Sequence, residues 1–274
     1  MTRARLIITA DDFGLDESVN EAVEQAYRHG VLRATSLMVA APATRDAVAR
    51  ARRLPGLAVG LHLVLTDGRA LLPPAHIPDL VDANGMFRNA MVSDGFRFFF
   101  IPRIRRQLAA EIRAQFEAFR ASGLPLDHVN AHKHFHLHPT ILSLMLSTGA
   151  EFGVRAIRLP AEPGMHLWLR PWIALMRRRI DKAGIARNDH VFGIRHSGAM
   201  DESALLAILR DPPAGISEVY LHPATRNGLV TSAPHARHVA ELAALLSPRV
   251  RTAIAERCVL CRGFSDPAVT GTRA

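Results

Sequence analysis

Short apolar runs alternate with segments of helical periodicity along most of the chain. Apolar residues that recur every three or four positions predict amphipathic helices, whereas short runs of apolar and β-branched residues predict buried strands. The predicted strands span residues 6–9, 36–39, 58–63, 128–131, 156–159 and 218–221. The predicted helices span residues 17–28, 44–53, 140–152 and 236–246. Because parallel neighbours need a crossover, usually a helix, this alternation predicts an α/β fold in which a parallel sheet closes, or nearly closes, into a (β/α) barrel.

The length of the chain allows either one large barrel or two small domains. It has 274 residues, of which 49% are hydrophobic and 22% are charged, a composition typical of a globular protein with a sizeable core. No repeat or linker-like run divides it, so we expect a single catalytic domain over residues 1–264. One insertion, residues 66–100, is rich in Pro, Gly and Asp and too long for an ordinary βα loop, which predicts a lid or a substrate wall. Residues 265–274 lack aromatic residues and apolar periodicity and predict a flexible tail.

Two acidic residues directly follow the first predicted strand. Asp11 and Asp12 thereby stand at the carboxyl end of a parallel strand, where barrel enzymes hold their active sites. Adjacent carboxylates repel each other, so both ionise readily only near a cation or when one of them takes up a proton. A solvated pair next to a helix capped by Asp16 is the structural alternative. His62 ends the third strand, where a lone histidine is more often a satisfied core residue than a ligand.

Histidine recurs at even spacing over eleven residues of the chain. The five positions are His128, His132, His134, His136 and His138. Even spacing would place all five on one face of an extended segment, and imidazole is the commonest metal ligand. A catalytic zinc ion takes three protein ligands and keeps one position open, so the other histidines would support the ligands, contact substrate or pack in the core. A histidine-rich surface loop is the alternative.

A further histidine follows the last of these predicted strands. His222 precedes Pro223 at the same rim, and an imidazole there can act as a general acid. Four predicted strand ends therefore each deliver Asp or His to one rim of the barrel. Two carboxylates and several histidines in one place favour metal-assisted hydrolysis.

Four motifs of the chain resemble those of the YdjC-like carbohydrate deacetylases. They are TADDFG at residues 9–14, GLHL at 60–63, NAHKHFH at 130–136 and LHP at 221–223. The resemblance extends over residues 6–264, and within the family the chain looks most like the hopanoid-biosynthesis-associated branch. It implies an irregular, seven-stranded (β/α) barrel shared with polysaccharide deacetylases. It also implies an enzyme that removes the acetyl group from an N-acetylglucosaminyl substrate, which in that branch is a hopanoid glycolipid.

The resemblance also implies roles for individual residues. One divalent ion, Zn²⁺ or Mg²⁺, would be held by Asp12, His62 and His132, and Asp11 would be the general base. Asn130 stands where many relatives carry Asp, which argues against a ligand or ionic role at this position.

Two more residues complete the expected chemistry. A departing sugar amine is a poor leaving group unless it is protonated, and His222 is the expected donor. Arg158, near the end of the strand predicted at 156–159, either holds Asp11 in place or forms a structural salt bridge. The remaining candidates would bind substrate or support the ligands, and they are His134, His136 and Asn130.

Two segments combine bulky apolar residues with arginine. Residues 96–106 hold four Phe and four Arg, and residues 167–179 hold both tryptophans of the chain beside an arginine cluster. The formal net charge is +9, from 34 Lys and Arg against 25 Asp and Glu. This combination suits the headgroup region of an anionic membrane, whereas the bulky aliphatic residues argue against nucleic acid as a partner. Ordinary core flanked by solvated charge is the alternative.

We expect a cytoplasmic protein that works at the inner face of the membrane. The apolar run after the N-terminus is too short for a secretory signal, and no charge-free apolar stretch reaches the roughly 18 residues of a membrane span. Cys258 and Cys261 could be a redox pair or half of a zinc site, but their place in a predicted last strand indicates apolar core.

Two competing functions remain open. The first is deacetylation of soluble chito-oligosaccharides. The second is a non-catalytic basic protein that binds membrane or nucleic acid and holds a structural ion, which would leave the pair Asp11 and Asp12 without a role.

Overall fold

The centre of the molecule is a curled parallel sheet, seen in a computed structural model that describes residues 3–229 and 235–271. Its seven strands are β1 (Ala4–Phe13), β2 (Ala34–Leu37), β3 (Ala58–Leu63), β4 (Leu126–Ala131), β5 (His190–Phe192), β6 (Ile216–Leu221) and β7 (Cys258–Leu260). Parallel hydrogen bonds join them in the order β4-β3-β2-β1-β6-β5, and β7 pairs with the first residues of β1. The predicted seven-stranded α/β fold of barrel type is thus confirmed.

Helices connect these strands and cover the outside of the sheet. They are α1 (Glu17–His29), α2 (Thr44–Arg52), α3 (Met91–Phe100), α4 (Pro102–Ala121), α5 (Pro139–Glu151), α6 (Arg170–Lys182), α7 (Glu202–Arg210), α8 (His238–Leu246), α9 (Pro248–Arg257) and α10 (Pro267–Thr270). In α4 the buried residues Ile104, Leu108, Ile112 and Phe116 recur every fourth position and form one apolar face. Over the two described ranges, no helix is both long and apolar enough to cross a bilayer.

Between β4 and β5 the ring of strands is closed by single bridges instead of a continuous ladder. Ile157 forms one such bridge with Val129 of β4. The backbone N–H and C=O of Leu159 bond to the side-chain amide of Asn188, both at 2.7 Å, and the next residue is a proline, which has no N–H to donate. The prediction of a regular strand at 156–159 is therefore wrong, and the barrel is irregular at this point.

The insertion at residues 66–100 packs on α4. Two isolated antiparallel bridges shape its first part, and α3 forms its end. The backbone N–H groups of Leu71 and Leu72 donate to the buried carboxylate of Glu111, at 2.9 and 3.0 Å. The insertion is thus fixed on a helix, and its first residues reach the carboxyl rim of the barrel through Asp67.

The end of the chain closes the amino-terminal end of the barrel. Phe264 and Val269 are fully buried in a cluster with Ile7 of β1. Residues 265–271 are therefore packed against the barrel and do not form the flexible tail that the sequence predicted. A helix of four residues is too short to show apolar periodicity, so one buried valine gave no signal in the sequence. Residues 272–274 of that predicted tail lie outside the described residues.

The two cysteines lie at the start of β7 and directly after it. Both are buried free thiols. Burial raises the pKa of both, that of Cys261 to about 11, so both thiols stay protonated at neutral pH. They behave as the small apolar core residues that the sequence indicated.

We predict that Val269→Ala lowers the free energy of unfolding by about 1–3 kcal/mol, because two buried methyl groups are lost from a packed cluster. Urea denaturation measures the change. Thr270→Ala, on an exposed side chain of the same helix, should stay within about 0.5 kcal/mol of wild type. Equal, negligible effects of both substitutions would contradict a packed C-terminal segment.

Candidate active site

The carboxyl end of β1 breaks the regular alternation of side chains. Asp11 and Asp12 are adjacent and would point to opposite faces of a regular strand. The register between β1 and β2 shifts between Ala10 and Phe13, and Asp12 has a φ of +62°. A bulge of this kind re-aims side chains, and Asp tolerates the left-handed region better than most residues. Both carboxylates consequently line one cavity of about 140 Å³ at the carboxyl rim.

Asp12, His62 and His132 form a triangle of potential ligand atoms. Oδ1 of Asp12 lies 3.2 Å from Nε2 of His62 and 3.1 Å from Nδ1 of His132, and the two nitrogens are 3.3 Å apart. Ligand atoms about 2.1 Å from one divalent ion are separated by roughly 3.0–3.4 Å in octahedral or tetrahedral coordination. In the described part of the chain, these three residues form the cluster that could hold an ion. The three residues predicted as ligands are thus brought together with fitting distances.

Charges in this triangle stabilise one another. Burial alone would raise the pKa of Asp12, but the charge and hydrogen bond of His132, followed by His62, bring it well below its ordinary value. Burial lowers the pKa of His62, yet the charge of Asp11 and the hydrogen bond and charge of Asp12 raise it on balance. The protein therefore presents an ionised carboxylate between two imidazoles, and a cation can take the place of their protons.

Asn130 fixes the orientation of His62. Its amide nitrogen lies 2.8 Å from Oγ of Ser36 and 3.1 Å from Oδ1 of Asp11, so its amide oxygen faces Nδ1 of His62 at 2.6 Å. Since that oxygen can only accept, His62 donates Nδ1–H and turns Nε2 toward the triangle. Asn130 is therefore placed to orient a ligand and not to bind an ion, which agrees with its lack of charge.

Arg158 binds Asp11 through two hydrogen bonds. Its Nη1 lies 2.5 Å from Oδ2 and its Nη2 lies 3.0 Å from Oδ1 of Asp11, and both side chains are buried. Burial alone would raise the pKa of Asp11, but the charge of Arg158, followed by that of His62, lowers it far below its ordinary value. Asp11 is consequently an ionised acceptor at physiological pH.

A second buried carboxylate, which the sequence did not predict, shares Arg158. Glu218 of β6 accepts from Nε and Nη2 of Arg158 at 2.8 and 2.7 Å, and the hydroxyl of Thr9 donates to it at 2.7 Å. The guanidinium also lies over the ring of Tyr220, 4.7 Å from its centroid. Arg158 therefore contacts Asp11 and Glu218 at once, so holding Asp11 and forming a structural salt bridge do not exclude each other. A glutamate within an apolar strand was the available signal, because buried carboxylates need partners.

The histidine run does not form one extended face. Lys133 and His134 have φ values of +52° and +53°, and the chain turns through a short 3₁₀ segment, His132–Leu137, before α5 begins. The prediction that all five histidines share one face is therefore wrong. Of the five, His132 and His134 line the catalytic cavity.

The three later histidines of the run, His134, His136 and His138, each have a different partner. Nε2 of His134 lies 2.9 Å from the hydroxyl of Tyr220, and Nε2 of His136 lies 3.0 Å from the carbonyl oxygen of Arg158. Burial first, and then the charge of Arg158, lowers the pKa of both rings, that of His136 to about 3. Both are therefore neutral. His138 caps the N-terminus of α5 outside the cavity.

A group around His222 forms another wall of the cavity. Its backbone N–H donates to Glu241 at 2.5 Å, and Nδ1–H of His238 donates to its carbonyl oxygen at 2.6 Å. Its ring meets that of Tyr220 edge-on, with the centroids 5.5 Å apart. His238 also lines the cavity. His238 and Glu241 could not be predicted from the sequence, because they lie on α8 and only the fold brings them to His222.

Three kinds of group thus meet in one small cavity. It holds an ionised carboxylate fixed by arginine, a triangle of ligand atoms, and the imidazoles of His222 after β6 and His238 at the start of α8. Such a set can activate a water molecule, bind an oxyanion and protonate a leaving group.

The chain is similar over nearly its whole length to proteins of one family. A carbohydrate deacetylase from Brevibacillus brevis is 29% identical over 270 residues, which cover 96% of this chain and 99% of the relative. A chitooligosaccharide deacetylase from Serratia marcescens is 30% identical over 272 residues, which cover 95% of this chain and 98% of the relative.

A solved structure has the same fold. It belongs to a protein of Enterococcus faecalis V583 described as a candidate cellobiose-phosphate cleavage protein, and it matches with a TM-score of 0.79 at 25% identity, covering 95% of this chain and 97% of that one. The profile of the family described as YdjC-like protein matches residues 5–256. The chain therefore belongs to the YdjC-like protein family.

Proposed function

We propose that this protein is a metal-dependent deacetylase that hydrolyses the N-acetyl group of an N-acetylglucosaminyl substrate. The observation that carries the proposal is the triangle of Asp12, His62 and His132 beside the arginine-bound carboxylate of Asp11. Relatives at 29% and 30% identity are a carbohydrate deacetylase and a chitooligosaccharide deacetylase, which supports the same reaction here.

Asp12, His62 and His132 would hold one divalent ion, Zn²⁺ or Mg²⁺. Two imidazoles and one carboxylate leave coordination positions open, as a catalytic site requires. When bound, the ion would lower the pKa of a coordinated water and polarise the acetyl carbonyl group.

Asp11 is the general base of this proposal, and its two oxygens have different surroundings. Oδ1 accepts hydrogen bonds from Ser36 at 2.9 Å, from Asn130 at 3.1 Å and from Nη2 of Arg158 at 3.0 Å. Among the described residues, only Nη1 of Arg158 donates a hydrogen bond to Oδ2. Oδ2 therefore keeps a lone pair for the proton of the attacking water. Because a carboxylate with a lowered pKa is a weak base, Asp11 can act only on a water that is already acidified.

His222 is the general acid of the proposal. It lines the cavity from the end of β6, whereas the base stands at the end of β1. A sugar amine leaves readily only as it gains a proton, and an imidazolium can donate one near neutral pH. His134, hydrogen-bonded to Tyr220 at 2.9 Å, is a neutral group placed to contact the sugar.

The sugar of this proposal is carried by a hopanoid lipid. A cleft of about 630 Å³ opens beside the catalytic cavity and is lined in part by Leu15, Met38 and Val64. The backbone N–H of Leu15 donates to the carbonyl oxygen of Asp12 at 3.0 Å, and Val64 lies two residues after His62. Other parts of the cleft lining are charged, among them Asp16, Asp67 and Arg69, so an apolar aglycone would contact only its apolar side chains.

The same hypothesis places the protein at an anionic membrane surface. Phe96, Phe100 and Trp168 are 65%, 69% and 74% exposed. The two segments that carry them flank the turn before α5, because Phe98 packs on Phe135 and a tryptophan of α6 donates to the carbonyl oxygen of Leu137. Exposed aromatic rings beside exposed arginines suit the boundary between lipid headgroups and acyl chains.

The first prediction concerns the metal. The purified protein should bind one divalent ion per chain, and His62→Ala and His132→Ala should each abolish stoichiometric binding because a ligand is lost. Asn130→Ala should weaken binding by about 10- to 100-fold, because His62 loses the partner that orients it. Elemental analysis and calorimetric titration give the content and the affinity. His76→Ala, on an exposed side chain, is the matched control, and ion content unaffected by the ligand variants would refute the site.

The second prediction concerns the base and the acid. Asp11→Asn should lower kcat for an N-acetylglucosaminyl substrate by roughly 10²- to 10⁴-fold with metal content retained, because the amide cannot accept the water proton. His222→Ala should lower kcat over the same range on the amide. It should have far less effect on an aryl acetate, whose leaving group departs without a proton.

Asp46→Asn is the control for the first substitution, since this half-buried carboxylate pairs with Arg50 away from the site. Wild-type turnover in Asp11→Asn would exclude the base. Equal losses on amide and aryl ester in His222→Ala would exclude the acid.

The third prediction concerns the membrane. The protein should co-sediment with anionic liposomes more than with neutral ones, and salt should weaken the binding because each arginine near the surface contributes about 1 kcal/mol. A variant with Phe96, Phe100 and Trp168 changed to Ser should lose the part of binding that survives high salt. No binding to either lipid at low salt would remove the membrane from the proposal.

A further inference from the structure

A chain of buried polar side chains runs from the closed end of the barrel to the catalytic carboxylate. Oδ2 of Asp127 lies 2.9 Å from Nδ1 of His128, and Nε2 of His128 lies 3.1 Å from Oγ of Ser36. The hydroxyl of Ser36 lies 2.9 Å from Oδ1 of Asp11. His128 and Ser36 have no exposed surface, so these two side chains contact neither solvent nor substrate.

The C-terminal segment of the protein fixes Asp127, the far end of this series of hydrogen-bonded side chains. Asp127 accepts from the backbone N–H groups of Phe264 and Ser265, each at 2.9 Å, and from the hydroxyl of Ser265 at 2.5 Å. A Cβ at Gly263 would lie 2.8 Å from both carboxylate oxygens, so only glycine leaves room for them. Burial raises the pKa of Asp127, but the hydrogen bond and charge of His128 and the bonds from Ser265 lower it to about 2. With three donors from residues 264 and 265 on its two oxygens, Asp127 is ionised and can only accept.

The ring of His128 is held on both faces. A Cβ at Gly60 would lie 2.5 Å from Cε1 of His128, and the ring of Phe264 lies over it with the centroids 4.8 Å apart. The glycine of the GLHL motif is thus explained by this close contact. The imidazole cannot rotate away from Asp127 and Ser36 without moving the backbone of β3.

The donors and acceptors of these four side chains determine how many protons His128 carries. Ser36 has one proton and two lone pairs, and the amide nitrogen of Asn130 donates to one of these at 2.8 Å. Arg158 donates to both oxygens of Asp11, so this carboxylate accepts, and the proton of Ser36 points to it. Nε2 of His128 must then donate to the second lone pair of Ser36. Because Nδ1 faces the ionised Asp127, it must also carry a proton.

We infer that His128 is a buried imidazolium, paired with Asp127, which acts through Ser36 as a positioning residue for Asp11. The inference rests on the proposed function for the role of Asp11, but not for the protonation of His128. A doubly protonated ring directs the Ser36 hydroxyl to Oδ1 of Asp11 and completes the three donors on that oxygen. Oδ2 is then left as the oxygen that accepts the proton of the water.

A neutral His128 has a different consequence for the base. Its unprotonated Nε2 would take the hydroxyl proton of Ser36, and Asp11 would lose one of its donors. The carboxylate would then be held by Arg158 and Asn130 only, with more freedom to rotate about its Cβ–Cγ bond. The charge at the closed end of the barrel thus sets the orientation of a carboxylate at the open end.

The protonation state is measured by long-range ¹H–¹⁵N spectra of protein labelled with ¹⁵N-histidine. Both ring nitrogens of His128 should give signals of the protonated type at pH 7, and Asp127→Asn should convert one of them to the unprotonated type. His128→Gln assigns the signals, and Ser36→Ala, which removes their neighbour, provides a second assignment if that variant does not fold. A neutral ring in the wild type would overturn the inference, whether or not the enzyme is active.

The positioning role is measured by a double-mutant cycle. Ser36→Ala and Asp127→Asn should each lower kcat by roughly ten- to a hundredfold, with KM and metal content little changed, since each removes the same donor from a charged group. The double variant should be no slower than the slower single variant. Multiplied losses would mean two independent structural effects and would overturn the role.

Ser217→Ala is the matched control, because its buried hydroxyl has no hydrogen-bond partner within the described residues, and it should keep wild-type kcat. The two hypotheses fail in different ways. Absence of deacetylation in the wild type would end the proposed function and leave the spectroscopic result standing.

Discussion

The site depends on the buried guanidinium group of Arg158. Arg158 has no exposed surface, and it divides its hydrogen bonds between Asp11 of β1 and Glu218 of β6. It lies in the irregular segment where the barrel is closed by single bridges and not by a ladder, so its ion pairs tie that segment to two strands of the sheet. Loss of one partner from a buried ion pair typically costs about 3–5 kcal/mol, because the remaining charge stays buried without compensation. The same arginine therefore ties the irregular segment to the sheet and keeps Asp11 ionised.

The two halves of the site follow from this constraint. Because Arg158, Asn130 and Ser36 engage Oδ1 of Asp11, the other oxygen has capacity for a proton. Asn130 at the same time orients His62 toward Asp12, so the proposed base and the ligand triangle share one hydrogen-bond network. A network of this kind is rigid, and rigidity is what a site needs in order to hold water, acetyl carbonyl and base in one geometry.

The sequence was most informative at strand ends. Asp11, Asp12 and His62 directly follow or end apolar runs, and parallel strands deliver their carboxyl ends to one rim, so their proximity could be predicted. The path of the chain after β4 could not, because the positive φ values that turn the histidine run fall on Lys133 and His134, not on glycine. Glu218, His238 and Glu241 act through contacts between distant elements, which no local pattern encodes. The packed end of the chain was missed because a single buried valine has no periodicity.

The central claim is that an ion in this triangle and the carboxylate of Asp11 together hydrolyse an N-acetyl group. The most direct measurement is reconstitution: chelator-treated protein is titrated with Zn²⁺ or Mg²⁺, and acetate release is followed on N-acetylglucosaminyl lipids and on chito-oligosaccharides. We expect no acetate from the metal-free protein, and activity that rises to a plateau at one equivalent of ion per chain. Full activity without metal, or no acetate from any of these substrates after reconstitution, would contradict the account.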